Sequence, residues 1–172
     1  MRSKLVCYTA LLLLAAAPTA GAAPEAAVPA EHSAAPADCA TSGVIQKISI
    51  TLRPPQGSGI STVAVDLGYD AARVAIPGQR DAESVKQRIQ GFPQGAVSAV
   101  NDSNGKVRVV LAATNPLPVN DRTLFVVSFD VCNDAAAPTA ADYTCVASGC
   151  VAMSAPVDGC TCDLAIETAQ PG

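Results

Sequence analysis

Two aspartates, Asp66 and Asp70, stand four residues apart in the run Val63-Ala-Val-Asp-Leu-Gly-Tyr69-Asp70. On a strand that spacing puts both carboxylates on one face, and a carboxylate pair is what glycosidases use to divide acid and base work. A sugar cleft also needs aromatic walls. Beyond residue 22 the chain has no Trp, only Tyr69 and Tyr143, and three Phe that fall mostly on core positions. The pair therefore reads as a solvated strand face followed by a turn aspartate. Imidazole chemistry fails for a different reason: the one histidine, His32, lies in an Ala/Pro-rich stretch. Neither a Ser-His-Asp nor a Cys-His site then has its base inside the patterned region. The HExxH zinc pattern, the Walker A loop and the GxGxxG turn are absent from the sequence. Asp102-Ser-Asn104-Gly imitates part of a calcium loop, but the acidic residues that would complete the oxygen shell are missing. As a hairpin turn it needs no ion. The residues predict a protein without catalytic groups, cofactor or metal.

Cysteine is the other residue type able to do chemistry. Cys7 lies in the leader, and Cys39, Cys132, Cys145, Cys150, Cys160 and Cys162 remain after it. An even number in an exported chain reads as a disulfide framework of up to three bridges. Zinc is the rival, since Cys145/Cys150 and Cys160/Cys162 are close pairs. Their separations, four intervening residues and one, do not match C-x2-C, and no His is near. The expected pairing is a local Cys145–Cys150 or Cys150–Cys160 bridge together with a longer link from Cys132 to Cys160 or Cys162.

Export is read from the first residues. Arg2 and Lys4 precede the apolar run Ala10 to Ala17, and Ala20-Gly21-Ala22 closes it, which is the form of a cleaved secretory signal over residues 1–22. The apolar stretch is about half the roughly 20 residues of a membrane span. The mature chain is expected to be secreted or periplasmic, and off the membrane once the signal is cut. Its nine basic and fifteen acidic side chains give a net charge of −6, against −4 for the whole sequence. Nucleic acid and anionic membrane are poor partners for such a chain. Residues 23–42 read as a flexible Ala/Pro-rich leader, 43–168 as one folded domain, and 169–172 as a tail.

The elements that must position any site read as strands. Val44, Ile48, Ile50 and Leu52 alternate with Lys47, Ser49, Thr51 and Arg53. Val63, Val65, Leu67 and Tyr69 point inward, with Thr62, Ala64 and Asp66 outward. Val74 to Ile76 is a short run. Residues 84–90 fit a strand as well as a helix, and the strand is preferred. Ala96 to Val100 and Lys106 to Ala113 flank the Asn-Gly turn, so Val107, Val109 and Leu111 face the core. In Thr123 to Cys132, Phe125, Val127, Phe129 and Val131 share one side, while Leu124 and Val126 suggest cover on both faces. Tyr143 to Ala147, Val151 to Met153 and Cys160 to Ile166 complete the set. Eight or nine short strands with scarcely any helix predict an all-β, jelly-roll-like sandwich of two sheets.

Within that frame, Val63-Ala-Val-Asp-Leu-Gly-Tyr69-Asp70-Ala-Ala-Arg-Val74-Ala-Ile-Pro-Gly78 resembles the strand-turn-strand of cohesin domains. Asn104-Gly-Lys-Val-Arg-Val-Val-Leu111 and Leu124-Phe-Val-Val-Ser-Phe129-Asp-Val131 are similar to the cohesin hairpin and its L-x-x-x-x-F-x-V strand. The likeness spans residues 44 to 132. It implies a nine-stranded sandwich that binds a protein partner, a dockerin-like module, on one sheet face. The family's polar contact residues, an amide and an acid, fall at Thr62 and Ala64 here, and its classical members lack the six cysteines. The candidate binding residues are therefore Thr62, Ala64, Asp66 and Arg108, on one outward face. Two other readings stand beside this one. The first is a carbohydrate-binding module of the same sandwich, tied to polysaccharide breakdown, for which a row of exposed aromatics is wanting. The second is a structural envelope or surface protein.

Overall fold

The computed structural model describes residues 39–103, 105–133 and 136–171. The signal segment, His32 and Asn104 fall outside them. Strands form wherever apolar and polar residues alternate, in the order β1 (Thr41–Arg53), β2 (Thr62–Tyr69), β3 (Val74–Ala75), α1 (Glu83–Gln87), β4 (Ile89–Gln90), β5 (Ala96–Asp102), β6 (Lys106–Ala113), β7 (Thr123–Cys132), β8 (Tyr143–Ala152), β9 (Ala155–Pro156) and β10 (Thr161–Pro171). They make two antiparallel five-stranded sheets. Sheet I runs β10-β1-β7-β3 with β4 also on β7, and sheet II runs β5-β6-β2-β8-β9. This is the all-β sandwich that the alternation predicts.

Alternation also fixes which side chains fill the layer between the sheets. Ile48, Ile50, Leu52, Val63, Val65, Leu67, Val107, Val109, Leu111, Phe125, Val127 and Phe129 are all fully buried. Each such side chain contributes about 1.5–3 kcal/mol relative to exposure, which makes this layer the main stabilising feature of the fold. Leu124 is fully buried as well, so the start of β7 is covered on both faces. Gln46 is the polar exception, 4% exposed and at a core-facing position. It sits where the β1–β10 register shifts between Ile45 and Lys47, and its Nε2 donates to the Glu167 carbonyl. The bulge gives the buried amide its partner.

Three local expectations are corrected. Residues 84–90 are not a strand: α1 occupies Glu83–Gln87 and only Ile89–Gln90 pairs, with β7. A strand would have aimed Gln87 at the core together with Val85 and Ile89. One helical turn buries Val85 and Ile89, 0% and 3% exposed, and leaves Gln87 outside. Met153 is likewise not in a strand. It and Ser154 form the two-residue turn between β8 and β9, both at positive φ (46° and 72°), the geometry of a type I′ turn. Asp70 lies past the end of β2 and so does not share a strand face with Asp66.

The cysteine pairing is a fourth correction. Cys150–Cys160 is one of the bridges, as one of the expected alternatives had it, but the others are Cys39–Cys132 and Cys145–Cys162. Cys132 ends β7, and β1 lies between β7 and β10, so Cys39, just ahead of β1, is the cysteine within reach. Cys145 and Cys150 lie on one strand, β8, and each crosses to the β10 side. Residues five apart on a regular strand point to opposite faces. Here Thr62 pairs with Val151 and Ala64 with Ser148, so β8 carries one extra residue, and Gly149 sits there at φ 58°. That bulge turns both cysteines inward, where Cys160 and Cys162, two apart, receive them. Deleting Gly149 leaves the two cysteines four apart on a regular strand, which keeps both on the inner face. Thiol titration of the unfolded variant is therefore expected to read no free thiols, as in the parent, and two free thiols would contradict this reading of the bulge.

Candidate functional site

The four candidate residues come together on the outer face of sheet II. Thr62, Ala64 and Asp66 alternate along β2, and Arg108 of β6 stands directly opposite Asp66. Cross-strand register sets them in rows. Val97, Ala112 and Thr62 form one row, Ala99, Val110, Ala64 and Ser148 the next, and Asn101, Arg108, Asp66 and Val146 the third. Thr62 is half-buried, and Ala64 is only 8% exposed because its single methyl lies between Val110 and Ser148. Gly68 ends the face: a Cβ there would meet the Thr144 Oγ1.

This face is built largely of small residues, and six of the eleven side chains in its rows are apolar. Val97 and Val146, 75% and 57% exposed, are two of the three large apolar side chains most open to solvent, and Met153 at the β8–β9 turn is the third. The charges within those rows are one pair, Arg108 Nη1 to Asp66 Oδ2 at 3.5 Å. The pair is half exposed on the arginine side and adds at most about 1 kcal/mol to stability. Asp66 Oδ1 is buried and makes no hydrogen bond among the described residues. One of its two oxygens is thus left over.

The outer face of sheet I is built the opposite way. Ser49 Oγ donates to Glu167 Oε1 at 2.7 Å, Arg53 Nε to Asp163 Oδ2 at 2.8 Å, and Arg88 Nη1 pairs with Asp130 Oδ1 at 2.9 Å. Its polar groups satisfy one another across the strands. One sandwich thus presents a laced polar face and an open apolar one.

Beside the β2 end of the site lies a polar corner. Tyr69 Oη donates to Asp102 Oδ1 at 2.9 Å, and burial pushes the Tyr69 phenol above its ordinary range. Asp102 is 4% exposed and faces the core, and its hydrogen bond with Tyr69 is what the calcium-loop reading of this turn did not anticipate. Asp70 is paired with Arg73 at 3.5 Å, which also reaches Asp142 at 3.3 Å. The backbone N–H of Thr139 holds the Asp142 carboxyl below the usual carboxylate range, with the Arg73 charge adding to it. Asp66 and Asp70 are therefore engaged by different arginines. Among the described residues no three His, Cys, Asp or Glu side chains cluster as metal ligands, and no helix is long and apolar enough to cross a membrane.

The sequence pointed to β2 and Arg108 but passed over Val97, Ala99, Val110 and Val146. Alternation alone places each of them outward. Only the strand order, which no residue pattern states, shows that four strands pool them into one surface.

The fold and its bridges define a two-sheet β-sandwich stapled by three disulfides, a framework suited to an oxidising compartment. Comparison with protein-family models, with curated proteins and with solved structures finds no match for this chain.

Proposed function

We propose that the chain is an exported, non-catalytic, cohesin-like module that recognises a protein partner through the outer face of sheet II. The observation that carries this reading is the contrast between the two outer faces. A surface with exposed apolar side chains, Val97 and Val146 among them, and a charged pair in its third row is the kind that protein partners cover. The single Asp66–Arg108 pair in its third row sets orientation, because a partner must answer both charges. Tyr69, Tyr143, Phe125 and Phe129 are all buried, so none of these rings is offered for stacking on a sugar. Protein recognition is therefore favoured over carbohydrate binding.

The test uses the mature protein as immobilised bait in the native extracellular fraction, with variants on each face. Asp66→Lys and Ala64→Lys are expected to reduce recovery of the captured partner at least about tenfold, the scale of a central contact. Thr51→Lys, on sheet I, is expected to leave it unchanged. Equal recovery with Asp66→Lys would move the site to the loops and end the sheet-face reading.

A further inference from the structure

The free edge of sheet II carries a second surface, set by backbone chemistry and independent of the outer face. Strand β5 is the edge, paired with β6 only. At its end Arg80 N–H donates to Asp102 O at 2.9 Å and Asp102 N–H to Arg80 O at 2.7 Å. In an antiparallel ladder, residues alternate between bonding one neighbour and bonding the other. Asp102 turns its backbone groups away from β6, so Val100 and Ser98 do the same, while Asn101, Ala99 and Val97 bond β6. Continued past Arg80, the chain would have placed residues 82 and 84 against Val100 and Ser98. It leaves instead. Arg80 has φ 57°, and the Ala82 carbonyl is taken by the N–H groups of Val85 and Lys86 in α1.

The edge beside Val100 and Ser98 is thereby open among the described residues. A cleft of about 310 Å³ lies there, lined by Asp81, Lys86, Phe92, Ser98 and Val100. Ser98 sits on the core-facing side of β5 and is nonetheless exposed, which marks where cover is missing. We propose that this cleft takes an extended peptide segment of a partner protein as an added antiparallel strand on β5. Two hydrogen-bonded pairs, with Val100 and with Ser98, fix a core of three residues. The first and third side chains enter the cleft against Phe92 and are apolar. The middle one lies on the outer side of the sheet.

The test is an amide-resolved NMR titration of the mature protein with the peptide Ac-Ser-Val-Thr-Val-Ser-NH2, beside a copy N-methylated at its bonding amides. The expected result is saturable shifts of the Ser98, Val100 and Lys86 amides, and at least about tenfold weaker binding of the N-methylated copy, since main-chain bonds supply the affinity. Ser98→Pro removes an edge N–H that β6 does not use and is expected to abolish the same shifts. Asp66→Lys should leave them intact, which separates this surface from the sheet face. Equal binding of both peptides would overturn the proposal. So would slow hydrogen exchange at Ser98 and Val100 in the free protein, because the edge would then already be paired, with its own chain or, if the protection grows with concentration, with a second copy.

Discussion

Removing the Cys39–Cys132 bridge, as Cys39→Ser with Cys132→Ser, is expected to lower the unfolding free energy by about 4–5 kcal/mol, the upper part of the range for native disulfides. The bridge closes a loop of sequence separation 93, whereas Cys150–Cys160 closes one of 10. If the bridges act by restricting the unfolded chain, the cost grows with the logarithm of loop length. Loss of Cys150–Cys160 should then cost about 2 kcal/mol less than loss of Cys39–Cys132. A local effect adds to this. The start of β1 is held by the Thr41–Cys132 pairing and by the Asn133 N–H bonded to Ala40 O at 2.6 Å, and the β1–β7 register is interrupted from there to Ile45. Without the covalent tie, that first segment has few bonds left to keep it on β7. Urea unfolding of the two double variants checks both points. Equal losses for the long and the short loop would contradict the entropic account.

The second large effect is expected for Phe129→Ala, about 3–5 kcal/mol destabilising. Phe129 is fully buried near the middle of β7 and packs between two rings, Tyr69 with centroids 4.9 Å away and Tyr143 at 5.5 Å, tilted by 53° and 50°. Truncation removes the transfer free energy of the ring and leaves a cavity lined by two tyrosines. Those tyrosines cannot easily move in to fill it. Tyr69 is tied to Asp102, and both residues are held in β2 and β8 as a cross-strand pair. Calorimetry should show a fall in melting temperature of roughly 10 °C or more, at about 3 °C per kcal/mol for a domain of this size. Val97→Ala, on the exposed face, should change the unfolding free energy by no more than about 0.5 kcal/mol. A Phe129→Ala variant as stable as Val97→Ala would mean that the layer between the sheets is not where the stability resides.

Much of the fold was legible because one-sided burial writes itself into alternate residues. Val63, Val65 and Leu67, or Phe125, Val127 and Phe129, leave no other face to bury, and the structure places them in the core. Residues 84–90 were ambiguous because Val85 and Ile89 satisfy both a helical and an extended period. The deciding residue was Gln87, whose polarity favours the helix. The disulfides were opaque for two physical reasons. A single extra residue at Gly149 reverses the facing of Cys150, and the partner of Cys132 depends on which strand lies beside β7. Gln46 was silent for the same reason as Gly149, since a bulge changes register without changing composition. The outer face was half legible: each outward residue follows from its own strand, but their assembly into one apolar surface follows from the order β5-β6-β2-β8.

That surface is most directly tested by photo-crosslinking from two matched positions. Ala112 lies exposed on the outer face of sheet II and Ala165 lies exposed on that of sheet I. With a benzoylphenylalanine at each position in turn, and the native extracellular fraction as the source of partner, a discrete protein adduct is expected from position 112. It should disappear when Asp66→Lys is added, and position 165 should give none. An adduct from position 165 of equal yield, or one from position 112 that persists in the Asp66→Lys background, would contradict recognition through the apolar sheet.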